Sequence, residues 1–419
     1  MPRIPHDKSL DSTLALLHDP YGFIAKRCRH YQSDLFQTRL LLRPTLCMTG
    51  PEAAQLFYDT SRFVRSGATP GRIQKTLFGQ GGVQGLDDKA HRHRKQMFMS
   101  LMTSERLGQL AETTSREWDA CVRKWASMDK VVLYVELQEL LTRAVCAWAG
   151  VPLEESEVGR RTRELTALFD YAGAVGPKHW WSRLNRKRAE RWAEGVIEQV
   201  RDGKLDAPVQ SALQVIASHR ELNGALLSPR IAAVELLNVL RPTVAVSVYI
   251  IFAAYALHQY PECRRKLAAG EEGYAELFVQ EVRRFYPFFP AVMARVRHDF
   301  DWKGYHFPQG RQVVLDLYGI NHDARTWEAP EVFRPERFRQ WDDSPFNFIP
   351  QGGGDHQVNH RCPGEWITIE LTKVALRFLT QKIRYEVPAQ DLQIETSRLP
   401  AVPQSRFVIT NVQANFEAG

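Results

Sequence analysis

Apolar side chains recur at three- and four-residue spacing through residues 103–128, 133–149, 190–202, 229–259 and 275–286, the period that lines one face of a helix. Two stretches break that rhythm. Residues 35–50 are rich in β-compatible side chains and close on a turn signal at Thr49-Gly50, which predicts an early hairpin. Residues 300–317 turn to a strand pattern punctuated at Lys303-Gly304 and Gln309-Gly310, and a proline-rich segment then leads toward Cys362. The predicted fold is mainly α with small β-sheets. No Gly/Ser tract, charge block, low-complexity segment or repeat divides the 419 residues, so residues 1–419 read as a single domain.

Composition supports a substantial core, with 44% apolar and 11% aromatic residues. The longest apolar run, residues 244–257, contains Ser247 and two tyrosines and is too short to span a bilayer, so it reads as a buried helix and no transmembrane segment is expected. Residues 1–17 lack the apolar stretch of a signal peptide, and Asp7 and Asp11 argue against a transit peptide, which points to a cytoplasmic protein. Cys28, Cys47, Cys121, Cys146, Cys263 and Cys362 lie far apart with no CxxC spacing, so zinc and redox-dithiol readings fall away and most are packing residues. Net charge is +7. The densest basic stretch, Arg183 to Arg188, has Glu190 nearby and reads as a solvated helix face; with no finger or RNP signature, no nucleic-acid partner is expected. Such a basic surface can also attract anionic substrates.

The candidate chemistry centres on Asn359-His360-Arg361-Cys362-Pro363-Gly364-Glu365-Trp366, which runs directly into helix-forming residues 367–376. A cysteine just before a helix N-terminus meets free N–H groups and the positive end of the dipole, which lower its pKa and favour the metal-binding thiolate. A strongly donating thiolate on haem iron favours O–O cleavage. A lone cysteine is more often buried packing. Two further motifs change that balance: Glu281-Val282-Arg283-Arg284, an ExxR, and Phe333-Arg334-Pro335-Glu336-Arg337-Phe338, a PERF segment.

In this order the three motifs resemble the cytochrome P-450 superfamily over nearly the whole chain. The resemblance implies a P-450 fold and heme b (iron protoporphyrin IX) with Cys362 as its axial iron ligand. It also implies a buried Glu281–Arg284 ion pair completed by Arg337. Two departures narrow the likeness. The superfamily places Phe seven and Gly four residues before the cysteine, where this chain has Asp355 and Val358; its loop instead runs from Phe348, fourteen residues upstream, through Gly352-Gly353-Gly354. That lengthened loop resembles the fatty-acid peroxygenase branch, and the competing phosphate-loop reading lacks a GK[ST] and the required strand.

The second departure lies in the long distal stretch, Glu235-Leu-Leu-Asn-Val-Leu-Arg241-Pro242-Thr243-Val-Ala245, which lacks the superfamily's acid-alcohol pair. A proline inside a helix costs roughly 3 kcal/mol or more. A buried cation needs a partner: either an internal salt bridge, with Glu235 the nearest choice, or a carboxylate from outside. The resemblance implies the latter, with Arg241-Pro242 as the catalytic pair and Arg241 anchoring the substrate carboxylate, which then acts as general acid/base. It further implies H2O2-dependent hydroxylation of a long-chain fatty acid at the α or β carbon, without an obligate redox partner. Gln84 matches a position where hydroxylating members carry Gln and decarboxylating members His. Phe78, Ala245, Phe288 and Phe289 are candidate pocket walls, and Arg65, His91 and Lys95 are candidates for the haem propionates, the last two at i, i+4. The rival readings are a reductase-dependent monooxygenase and a non-catalytic haem-thiolate sensor.

Overall fold

The computed structural model describes residues 4–415, so Met1–Arg3 of the opening segment and the last four residues lie outside it. Its strands are β1 (Leu35–Leu40), β2 (Arg43–Met48), β3 (Phe63–Val64), β4 (Val131–Val132), β5 (Ala291–Val296), β6 (Phe300–Trp302), β7 (Tyr305–Phe307), β8 (Gln312–Asp316), β9 (Ile383–Glu386) and β10 (Val408–Ala414). They form a five-stranded sheet in the order β1-β2-β8-β5-β3, a three-stranded sheet β4-β10-β9, and the hairpin β6-β7. β1 and β2 are the predicted hairpin, paired antiparallel from Leu35 with Met48 to Leu40 with Arg43. β2 then runs parallel to β8, a pairing no local signal announces.

The helices that build the site are α1 (Asp88–Met99), α2 (Ser104–Trp125), α3 (Leu133–Ala149), α4 (Val158–Asp170), α5 (Pro177–Arg201), α6 (Pro229–Ala245), α7 (Ser247–Gln259), α8 (Tyr274–Phe285) and α9 (Glu365–Arg377). α6 starts where Ser228 accepts a hydrogen bond from the Ile231 N–H and Pro229 occupies the first turn, where its missing donor costs nothing. It packs against α3, α4 and α5, while α9 packs against α2, α7 and α8. The helical core is continuous and aromatic-rich; Trp118 of α2 stacks on Phe378 at 5.2 Å and meets Trp125 edge-on.

Two predicted boundaries move. The 229–259 stretch is two helices, broken by a turn at Val246 rather than at Pro242, which sits inside α6. Pro242 has no N–H for the carbonyl of Asn238, and next to it the Thr243 hydroxyl donates to the Val239 carbonyl at 2.9 Å. This 31-residue stretch is long and apolar enough to cross a membrane, but 94% of its most apolar window is buried, as for a core element. α5 begins at Pro177, well before residue 190, because its first half buries the polar side chains Ser182, Asn185 and Arg186 and so shows no apolar stripe facing inward.

Candidate functional site

Cys362 lies three residues before α9, on a loop that folds back on itself. Gly354, at φ +80°, gives the loop room to turn, since a Cβ there would collide with the Asn359 side chain. Asn359 accepts from the Asp355 N–H at 2.8 Å and donates to the Tyr58 carbonyl at 2.8 Å. The Cys362 N–H donates to the Gln351 carbonyl at 3.0 Å, and the Gln351 amide nitrogen lies 3.8 Å from the Cys362 sulfur while also donating to Thr368 at 3.0 Å. Arg283 donates to the Gln351 side-chain oxygen at 3.1 Å and pairs with Glu365. Glu365 also takes Arg361 at 2.7 Å and His356 at 2.9 Å, and these partners hold its carboxyl far below the usual range despite burial.

The expected lowering of the Cys362 thiol is corrected by the structure. Burial and the Glu365 carboxylate push the thiol up, outweighing the Gly364 N–H and the cations of Lys95 and Arg283. The ExxR and PERF segments form the expected network. Arg284 grips Glu281 with two bonds of 2.7 and 2.8 Å, both side chains fully buried, and Arg337 reaches the same carboxylate at 3.2 Å.

On α6, Arg241 is 6% exposed and donates to the Leu77 carbonyl, with its guanidinium 5.8 Å from the Phe78 ring. Among the described residues no carboxylate pairs with it. Glu235 is already taken by Arg94 at 2.7 Å, the Val83 N–H at 2.8 Å and Asn238 at 2.9 Å. Asn238 also donates to Gln84 at 3.2 Å, which fastens Gln84 to α6. Burial, and the nearby cation of Arg186, push Arg241 down to about 9. Ala245 shares the Arg241 face at i, i+4, and Tyr249, four residues further on, packs on Phe288 with ring centroids 4.5 Å apart; Phe289 adjoins Phe288 at 5.9 Å.

A family model for Cytochrome P450 matches residues 273–410, which include the ExxR, PERF and cysteine segments. Among solved structures, cytochrome P450SP alpha (CYP152B1) in complex with (R)-ibuprophen is 57% identical, covering 97% of this chain and 100% of that one, with a TM-score of 0.96. Cytochrome P450EX alpha (CYP152N1) with myristic acid is 46% identical over 99% and 100%, TM-score 0.96, and a cytochrome P450 OleT variant in complex with arachidonic acid is 36% identical over the whole of both chains, TM-score 0.97. The chain belongs to the CYP152 family of cytochromes P450. It is a haem-thiolate enzyme that uses hydrogen peroxide to hydroxylate fatty acids.

The residues of this CYP152 chain fit its haem iron. Cys362 offers one sulfur donor with the Gln351 amide beside it, the donor type that suits a haem iron. Beside its loop lies a basic cluster suited to acidic edges. His91 stacks on His360 at 3.8 Å, Arg65 donates to the Met293 carbonyl at 2.7 Å with its guanidinium 4.3 Å from the Phe57 ring, and Lys95 donates to the carbonyls of Asn359, at 3.2 Å, and Arg361. Burial, with the Lys95 and Arg65 cations, pushes His91 down to about 4, and burial lowers Lys95 to about 8. Lys95 thus ties the cysteine loop to α1.

Sequence reasoning missed several residues here. Gln351 and His356 lie in the lengthened loop, Arg283 in the ExxR and Glu365 just after Cys362, yet nothing local shows that they converge around the cysteine loop. His360 gains its role only by stacking on His91. Arg186 was read as part of a solvated face, but it is 2% exposed and donates to the Leu77 carbonyl at 3.2 Å while pairing with Glu190 at 2.7 Å.

Proposed function

We propose that this CYP152 enzyme hydroxylates long-chain fatty acids at the α carbon, with β as the neighbouring product, and that Arg241 holds the substrate carboxylate. The observation that carries the reading is a buried guanidinium with a carbonyl and an aromatic ring for neighbours and no counter-ion among the described residues. A guanidinium presents parallel N–H donors to a carboxylate, and in a buried site that pair is strong and directional. The relatives solved with myristic and arachidonic acid support a carboxylate ligand of this length.

Cys362 would hold heme b through its thiolate, with Arg65, His91 and Lys95 as the candidate partners of its propionates, and the bound group would supply the oxidising chemistry. The chain's own part is positioning and proton control. Glu235 is locked by Arg94, and the Thr243 hydroxyl donates within α6, so no side chain of residues 235–245 is free to move a proton. The substrate carboxylate on Arg241 takes that role, carrying a proton from one oxygen of hydrogen peroxide to the other. Clamping the head group leaves only the adjacent carbons within reach. Pro242 fixes the helix turn that presents Arg241, Gln84 favours hydroxylation over decarboxylation, and Phe78, Ala245, Phe288 and Phe289 wall the acyl chain. Residues 1–419 act as one catalytic domain in the cytoplasm, with no redox partner.

The test is product analysis after adding hydrogen peroxide and a long-chain fatty acid to the holoenzyme without reductase. The expected product is the 2-hydroxy acid. Turnover only with a reductase and reduced nicotinamide would make the chain a conventional monooxygenase, and no turnover under either condition would favour a haem-thiolate sensor.

A further inference from the structure

The outer face of α5 does not look like the rest of the surface. Trp180 and Trp181 are 65% and 48% exposed, and they are the only aromatic side chains among the exposed large apolar residues described. Val175 and Leu184 are exposed beside them. Positions 180, 184, 187 and 191 follow one helical stripe, so the same face passes from Trp180 and Leu184 to Lys187 and Arg191, with Trp181 and Arg188 alongside. Water-facing tryptophans beside aliphatic side chains are costly unless they have a partner.

The charge beside them is one-sided. From Val175 to Arg191 the chain carries Lys178, Arg183, Arg186, Lys187, Arg188 and Arg191 against one acid, Glu190, which is already bound to Arg186 at 2.7 Å. A cleft of about 300 Å³ opens on this face, lined by Lys75, Lys187, Arg191 and Arg230 among others, with Glu194 as its second acid. The same helix reaches the substrate site, because Arg186, six residues and roughly 9 Å along the axis from Trp180, donates to the carbonyl that Arg241 also uses.

We propose that this face of α5 docks the enzyme on an anionic lipid bilayer, with Trp180 and Trp181 at the headgroup boundary and the basic cleft taking lipid phosphates. Tryptophans favour that boundary, and lysines and arginines beside them are drawn by the negative surface. A second copy of the chain is a poor occupant, since a two-fold contact would set Lys187, Arg188 and Arg191 against themselves. Docking places the helix that shapes the Phe78 wall where long-chain acids partition. It does not depend on which carbon the enzyme oxidises.

The holoenzyme is sedimented with phosphatidylcholine vesicles and with vesicles containing roughly one third phosphatidylglycerol. Binding to the anionic vesicles alone, weakened by added salt, is expected. Trp180→Ser with Trp181→Ser should lower the partition coefficient about tenfold or more, and Lys187→Glu with Arg188→Glu by a similar factor. Both variants should keep wild-type fatty-acid turnover in vesicle-free solution, which shows that they fold. Failure of the wild type to bind, binding unchanged in either variant, or a solution dimer that the tryptophan variant dissolves would overturn the proposal.

Discussion

Arg283 and Arg241 are both buried arginines near the reaction centre, but their surroundings are opposite. Arg283 is saturated: it pairs with Glu365, donates to Gln351 and Gln280, and belongs to a network closed by Arg361 and His356. Arg241 has one backbone carbonyl and a ring, with a second cation, Arg186, close enough to disfavour its charge. Removing a buried cation from water is expensive, and a pair recovers the cost only when the counter-charge is present. The Cys362 side is therefore complete in the protein itself and holds the sulfur in one geometry. On the proposed reading, a substrate carboxylate is what completes the α6 side.

Breaking the completed side should have the largest effect. Arg283→Met leaves Glu365 without its main partner and should cost about 3–5 kcal/mol of unfolding free energy, together with poor haem retention, read by denaturant titration and absorbance. Arg241→Ala should leave the haem spectrum intact but lower peroxide-driven turnover of a long-chain acid by about a hundredfold, roughly 3 kcal/mol. His91, stacked on His360 of the cysteine loop, gives a pH signature. Its imidazole stays neutral in the folded chain to about 4, whereas an unfolded one takes a proton near 6.5. Stability is thus fully present above pH 6.5 and lost as pH falls toward 4, by ~3 kcal/mol in the limit, and His91→Phe should flatten that fall. Arg241→Met should sharpen the contrast, since replacing a cation that has no counter-ion among the described residues should be neutral or stabilising by about 1 kcal/mol in substrate-free enzyme. The smallest effect belongs to Gln351→Leu, which removes an N–H near the sulfur and should lower the haem midpoint potential by ~40 mV.

What the sequence disclosed follows from how local each feature is. The Glu281–Arg284 pair spans one helical turn, and Cys362 abuts its helix, so both are legible in short windows. The β1–β2 hairpin and most helix spans are legible for the same reason. Glu235 looked like a partner for Arg241 because Arg94, its actual partner, is 141 residues away. The start of α5 was hidden because Arg186 and Asn185 point inward and Trp180 and Trp181 outward, inverting the usual pattern. The thiol's raised pKa depends on burial, which no spacing reveals.

The central claim is that a carboxylate completes the Arg241 site. Peroxide-driven turnover of a long-chain fatty acid should be compared with that of its methyl ester, which keeps the acyl chain and removes the charge. Fast oxidation of the acid beside the head group, with turnover of the ester at least about a hundredfold slower, is the predicted result. Equal rates for acid and ester would contradict it.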